Sequence, residues 1–155
     1  MVALPTAAPG FDSTSMVYLR QPQMLQAYAF AEWVDTPARL IGPLLVRALQ
    51  RTGAFRAVLQ APSSATGALR LETELVRLQH DHTRSPSEVR LSLRTVLLDI
   101  ATRQPLATRE FYARVPASSD DPAGAVAATS TATRQLLAEL SNYVATLASR
   151  MRREP

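Results

Sequence analysis

Two histidines flank an aspartate at His80-Asp81-His82. On a strand, residues two apart point to the same side. The two imidazoles could then share a metal ion, since histidine is a common zinc ligand. A third and fourth ligand at usable spacing are missing, and the triplet runs into Thr83-Arg84-Ser85-Pro86. It is therefore read as a solvated turn, with no metal site. Glu72 and Glu74 share one side of a strand and could mimic a catalytic carboxylate pair. Arg90 and Arg94 on the following strand are their expected partners in exposed cross-strand ion pairs. Ser63-Ser64 lies in a small-residue loop and no G-x-S-x-G surrounds a serine. The five glycines are scattered, so no phosphate-cradling loop exists. Cysteine is absent, which removes disulfides, thiolate metal sites and cysteine nucleophiles. No catalytic, cofactor or metal residues are assigned, and the chain is read as non-enzymatic.

What remains is an aromatic group ending in the single tryptophan: Tyr18, Tyr28, Phe30 and Trp33. Large rings at a strand-to-helix junction pack cores, and exposed aromatics also anchor partners. The junction is expected to build core. Its four aromatics are the candidate partner surface.

These residues need elements to position them. The chain has 155 residues, 46% hydrophobic and 19% charged, enough for one domain with a real core. No run approaches the roughly 18 apolar residues of a spanning helix, so the chain is read as soluble, without a signal peptide in this numbering. Net charge is +4, and all seventeen basic residues are arginine. They are spread from Arg20 to Arg153 rather than clustered on one face, which argues against nucleic-acid binding.

Val2 to Ala8 is expected as a first strand, followed by two short strands, Ser15 to Leu19 and Met24 to Phe30. In the second, Gln26, Tyr28 and Phe30 should share one face. Asp35-Thr36-Pro37 starts a helix with a capping side chain and an early proline. Leu40, Ile41, Leu44, Leu45, Ala48 and Leu49 form its stripe, Pro43 should kink it or delay its start, and Gly53 should end it. Strands follow at Phe55 to Gln60, at Leu69 to Asp81 with a bulge between Leu71 and Val76, at Glu88 to Ile100, and at Leu106 to Val115. Asp120-Asp121-Pro122 opens a last helix running to about Ser149, with Val126, Thr133, Leu136, Leu140, Val144 and Leu147 buried. Residues 1–149 are taken as one domain and residues 150–155 as a frayed basic tail. The fold class is α+β, a largely antiparallel sheet with two helices on one face.

This layout resembles the ABC-type transport auxiliary lipoprotein family, of PqiC/YmbA type. The resemblance is carried by Tyr28 to Trp33, then LLVRAL, GAFRAVL, LRLETELVRLQHD, PSEVRLSLRTVLLD, REFYARVPA and DDPAGAVAA, and covers nearly the whole chain. It implies an LptE-like or TolB-N-like fold. It further implies a non-catalytic accessory subunit that accompanies an ABC transporter and an MCE protein in moving lipids or hydrophobic solutes. Such a lipoprotein is expected in the periplasm, anchored in the outer rather than the inner membrane. The signal peptide and lipidated cysteine of the family are missing from this numbering, which a truncated chain explains.

Two uses of such a chain compete. As an accessory subunit it would bind the MCE partner, or assemble as a homo-oligomeric ring, through the Tyr28–Trp33 junction or an open edge at Met24 and Leu25. As a direct lipid carrier it would hold its ligand between sheet and helices, against Leu40, Leu44, Leu136 and Leu140. An envelope-assembly lipoprotein without a transport role is a third reading.

Overall fold

The computed structural model describes residues 1–153. Its elements are β1 (Thr6–Ala7), β2 (Ser15–Gln21), β3 (Met24–Glu32), α1 (Pro37–Arg51), β4 (Leu69–Asp81), β5 (Glu88–Asp99), β6 (Pro105–Pro116) and α2 (Pro122–Met151). One six-stranded sheet runs in the order β3-β2-β4-β5-β6, with β1 beside β4. The long meander β4-β5-β6 is antiparallel, whereas β1 and β2 both lie parallel to β4. The N-terminal segment thus travels along one edge of β4: Val2 beside Leu71, Thr6 beside Glu74, Tyr18 beside His80. The α+β architecture is as expected, with a mixed, mostly antiparallel sheet.

Period-2 patterning dictates which side of β5 is covered. Val89, Leu91, Leu93, Thr95 and Leu97 are all buried beneath the helices. In β4 the buried side changes parity where Val76 is left out of the ladder between Leu75 and Arg77. That bulge falls where the sequence placed it. Leu78 and His80 consequently continue the buried face that Leu71, Thr73 and Leu75 begin.

Five local expectations change. Phe55 to Gln60 is not a strand. Gln60 makes a single bridge to Val2, because Pro5 leaves only a short N-terminal stretch for a ladder. The helix α1 runs through Pro43 without a later start. Pro43 and Arg39 are both exposed, so water can satisfy the carbonyl that proline leaves free. Thr36 forms no side-chain cap. Asp35 instead accepts the Thr36 N–H (2.7 Å) and pairs with Arg39 (3.3 Å). In α2, Val126 is exposed, and the buried stripe is built from small residues, Ala125, Ala128 and Ala132, leading to Leu136, Leu137, Leu140 and Val144. Alanines let the first turns of α2 lie close to the sheet. The helix also takes in Arg150 and Met151. Arg152 donates to the Ala54 carbonyl (3.0 Å), so this part of the basic tail is not frayed. Residues 154–155 lie outside the described residues.

Two termini follow the sequence closely. Asp121 caps α2 by accepting the Gly124 N–H (2.9 Å). Gly53 follows the end of α1 with φ +65°, a conformation glycine adopts without steric cost.

Candidate functional site

The first candidate region sits where the C-terminal end of β4 meets the N-terminus of α2. Tyr28 on β3 turns inward and places its hydroxyl 2.9 Å from His80 Nδ1 and 2.8 Å from His82 Nε2. His80 Nε2 lies 2.9 Å from Ser87 Oγ, and Ser87 donates to Asp120 at 2.5 Å. Donor bookkeeping orients this chain. An ionised Asp120 only accepts, so the single Ser87 proton goes there. The Ser87 oxygen then accepts from His80 Nε2–H. His80 Nδ1 is left as an acceptor for the Tyr28 proton, and the phenol oxygen accepts from His82 Nε2–H. Burial lowers the pKa of His80, as does the neighbouring His82. Both outweigh the acidic groups Asp120, Asp121 and Asp81, and so keep the ring neutral. Burial raises the pKa of Tyr28, which keeps its proton.

The expectation of a solvated turn at His80-Asp81-His82 is therefore corrected. His80 is 2% exposed and Asp81 1%. Asp81 points to the other side of the sheet. There it accepts from the Thr83 N–H (2.8 Å) and the Thr83 hydroxyl and pairs with Arg90 (3.0 Å). His80, His82 and Asp120 do bring three ligand-type atoms within 4.8 Å of one another. Both ring nitrogens of His80, Nε2 of His82 and Oδ1 of Asp120 are engaged in the hydrogen bonds just described, and the Tyr28 hydroxyl bonds to both rings. The arrangement holds the β2–β3 hairpin, β4 and α2 together. The expected carboxylate pairing holds only at Glu74, which meets Arg94 (3.0 Å). Glu72 pairs with Arg70 (3.1 Å), and Arg90 pairs with Asp81 and Glu88.

The four aromatics of the candidate partner surface separate. Tyr18 stacks on Tyr28 with ring centroids 4.5 Å apart, and both join the histidine cluster. Trp33 is half-buried against the core. Phe30 is fully exposed. The cause is a large irregularity between β2 and β3. Ser15 pairs with Glu32 and Val17 with Ala27, so residues 28–31 stand opposite Met16 alone. The strict alternation that put Tyr28 and Phe30 on one face is broken there. β3 is an edge strand, and Met24, Leu25 and Val34 are exposed along with Phe30.

The second region is a groove of about 660 Å³ between α1 and α2. Leu40 and Leu44 line it as expected for a hydrophobic cavity, but Leu136 and Leu140 do not. They face the sheet and are buried in the core. Leu78, Ile41 and Leu137 form its floor and Trp33 contributes to its wall, while Arg47, Arg51 and Arg134 supply its charge. In the sequence these arginines belong to a dispersed set. Their signal was the spacing of Arg47 and Arg51, one helical turn apart beside Leu44 and Ala48.

Comparison with known proteins agrees with this fold. The sequence model of the ABC-type transport auxiliary lipoprotein component matches residues 1–141. The chain belongs to that family. A Xanthomonas campestris protein of the DUF330 family has a crystal structure 26% identical to this chain. Its TM-score is 0.89, with 98% of this chain and 86% of that chain covered. A Chlamydia trachomatis protein (12% identity, TM-score 0.56, 92% of this chain and 96% of that one) shares the fold. So does PelC from Paraburkholderia phytofirmans, crystallised as a dodecamer (14% identity, TM-score 0.52, 90% and 84%). No curated protein matches the sequence. The family is one of envelope-associated lipoproteins auxiliary to ABC-type transport. Among the described residues, no helix is long and apolar enough to cross a membrane.

Proposed function

We propose that this chain is a non-catalytic accessory subunit of an ABC transport system with an MCE-type partner, moving lipids or hydrophobic solutes across the bacterial envelope. In this reading residues 1–149 act as one auxiliary domain in the periplasm. A lipid on the full-length precursor anchors it in the outer membrane. The observation that carries the reading, beyond family membership, is the β3 edge. An unpaired strand offers free N–H and C=O groups to another chain. Here its bulge also presents Phe30 with nothing packed on it, near exposed Met24, Leu25 and Val34. Large exposed side chains of this kind make interface anchors.

The partner surface is therefore narrower than the four aromatics first considered. Phe30 is its centre. Tyr18 and Tyr28 are held by the histidines, and Trp33 by the core. A ring of copies would join this edge to a neighbouring subunit; PelC, which shares the fold, is itself a dodecamer.

Light scattering and co-purification with the MCE component test the reading. The wild-type chain should form a defined oligomer or hold its MCE partner. Phe30→Asp should abolish either association and leave the thermal transition in place. A wild-type monomer that never retains an MCE protein would sink the proposal.

A further inference from the structure

The α1–α2 groove has one-sided chemistry. Its floor is apolar, and Leu44, 44% exposed, extends that surface outward. Arg47, Arg51 and Arg134 line it, and no carboxylate does. Five other arginines, Arg39, Arg70, Arg90, Arg94 and Arg109, have ion-pair partners. Among the described residues, the three in the groove have none, and neither do the nine remaining arginines; what distinguishes the three is their place beside an apolar floor. An apolar trough whose only charges are positive complements a chain that is apolar along its length and anionic at one end. Arg47 and Arg51 stand one turn apart on α1, and Arg134 comes from α2, so arginine side chains line the groove from both walls. A guanidinium offers a planar fork of donors that suits a carboxylate or phosphate head. The volume of about 660 Å³ falls within the roughly 300–1,000 Å³ of small-molecule sites.

We infer that the α1–α2 groove binds an anionic amphiphile: an alkyl chain lies on Leu78, Ile41 and Leu137, and its carboxylate or phosphate is held by Arg47, Arg51 and Arg134. This goes beyond the accessory-subunit reading, which rests on β3 and gives the groove no role. It also revises the lipid-carrier cavity, since Leu136 and Leu140 contribute nothing to it.

Trp33 is the only tryptophan and lines the groove, so its emission reports occupancy. The full chain is titrated with palmitate and with dodecyl phosphate below their micelle concentrations, and with dodecyltrimethylammonium as a cationic control. Both anions, or one of them, should shift the emission with single-site saturation, and the cation should not. Binding of only one anion would support the inference and identify the preferred head group. Charge reversal in R47E/R51E should weaken anion binding by at least about fivefold, the scale of one exposed charge pair. R134E supplies the same test if the double variant unfolds. R103E, the same charge reversal in the exposed turn between β5 and β6, should bind as the wild type does. Equal binding of anion and cation, or unchanged anion affinity in the reversed variants, would overturn the inference. So would a groove that ignores both anions yet binds an acidic amphipathic peptide, which would make it a seat for a partner helix.

Discussion

The two candidate regions treat polarity in opposite ways. At the N-terminus of α2, Tyr28, His80, His82, Ser87 and Asp120 satisfy one another in an oriented chain. Between the helices, Arg47, Arg51 and Arg134 stand beside apolar surface with no ion-pair partner among the described residues. A buried polar group with internal partners is costly to disturb, because the low dielectric that strengthens its bonds also penalises an orphaned member. A cation without partners contributes little to folding and stays available to a ligand. The same small fold thus carries one polar region that acts on stability and another that the fold does not require.

The strongest way to break this contrast is at His80. His80→Ala removes the acceptor of Tyr28 and the donor to Ser87 and leaves a hole beneath a 2% exposed ring. The expected loss is about 2–4 kcal/mol in urea unfolding. A loss below about 0.5 kcal/mol, the usual surface level, would show that the cluster is ornamental.

Acidification should act on the same end of the molecule. The folded-state pKa of His80 lies below its ordinary value, through burial first and the nearby His82 second. The unfolded chain then takes up a proton near pH 6.5 while the folded chain resists. Stability should fall as the pH drops below about 6.5 and level off once the folded pKa is passed. Asp81 adds a second, lower window. Burial raises its pKa, but the Thr83 hydroxyl and N–H, with Arg90 and Arg84, lower it further and win. Its contribution is present above its unfolded pKa, near 3.9, and is lost as pH falls through the folded value. Urea midpoints followed from pH 8 to pH 3 should fall in two stages, with the upper stage reduced in His80→Gln. An identical slope between pH 7 and pH 5.5 in that variant would remove His80 as the cause.

How far the sequence revealed these regions depends on the type of signal each one left. Strand parity on β5, the β4 bulge and the Asp121 cap are local, and each was legible because residues within a few positions decide them. The histidine cluster is not local. Tyr28, His80 and Asp120 come from three distant segments, and His82 sat beside turn-forming residues that argued for solvent. The β4 bulge offered a clue, since it carries His80 onto the buried face after Leu78. The Phe30 bulge had no such clue: an alternating stretch of small and aromatic residues gives no sign that β2 will be three residues short opposite it. In α2, large side chains give the stronger signal of a buried stripe, whereas Ala125, Ala128 and Ala132 form the closer face.

A smaller effect is expected on the shared core between the two regions. Thr73 is buried on the helix-facing side of β4, and its hydroxyl has no hydrogen-bond partner among the described residues. Val has nearly the same shape and no group to desolvate. Thr73→Val should stabilise the fold by about 1 kcal/mol, raising the urea midpoint with an unchanged slope. Destabilisation would mean the hydroxyl is satisfied by buried water.

The smallest effect sharpens the contrast most. Arg134 has no ion pair among the described residues, so Arg134→Ala should change stability by less than about 0.5 kcal/mol. Its aliphatic stem could still cover apolar surface, which makes the choice of substitution matter. Arg134→Met keeps the stem and removes the charge. Both variants should unfold like the wild type, while His80→Ala does not. If Arg134→Met is neutral and Arg134→Ala is destabilising, the stem helps to seal the groove. If both are destabilising, the guanidinium is engaged in the folded chain, and the groove arginines belong with the histidine cluster rather than opposite it.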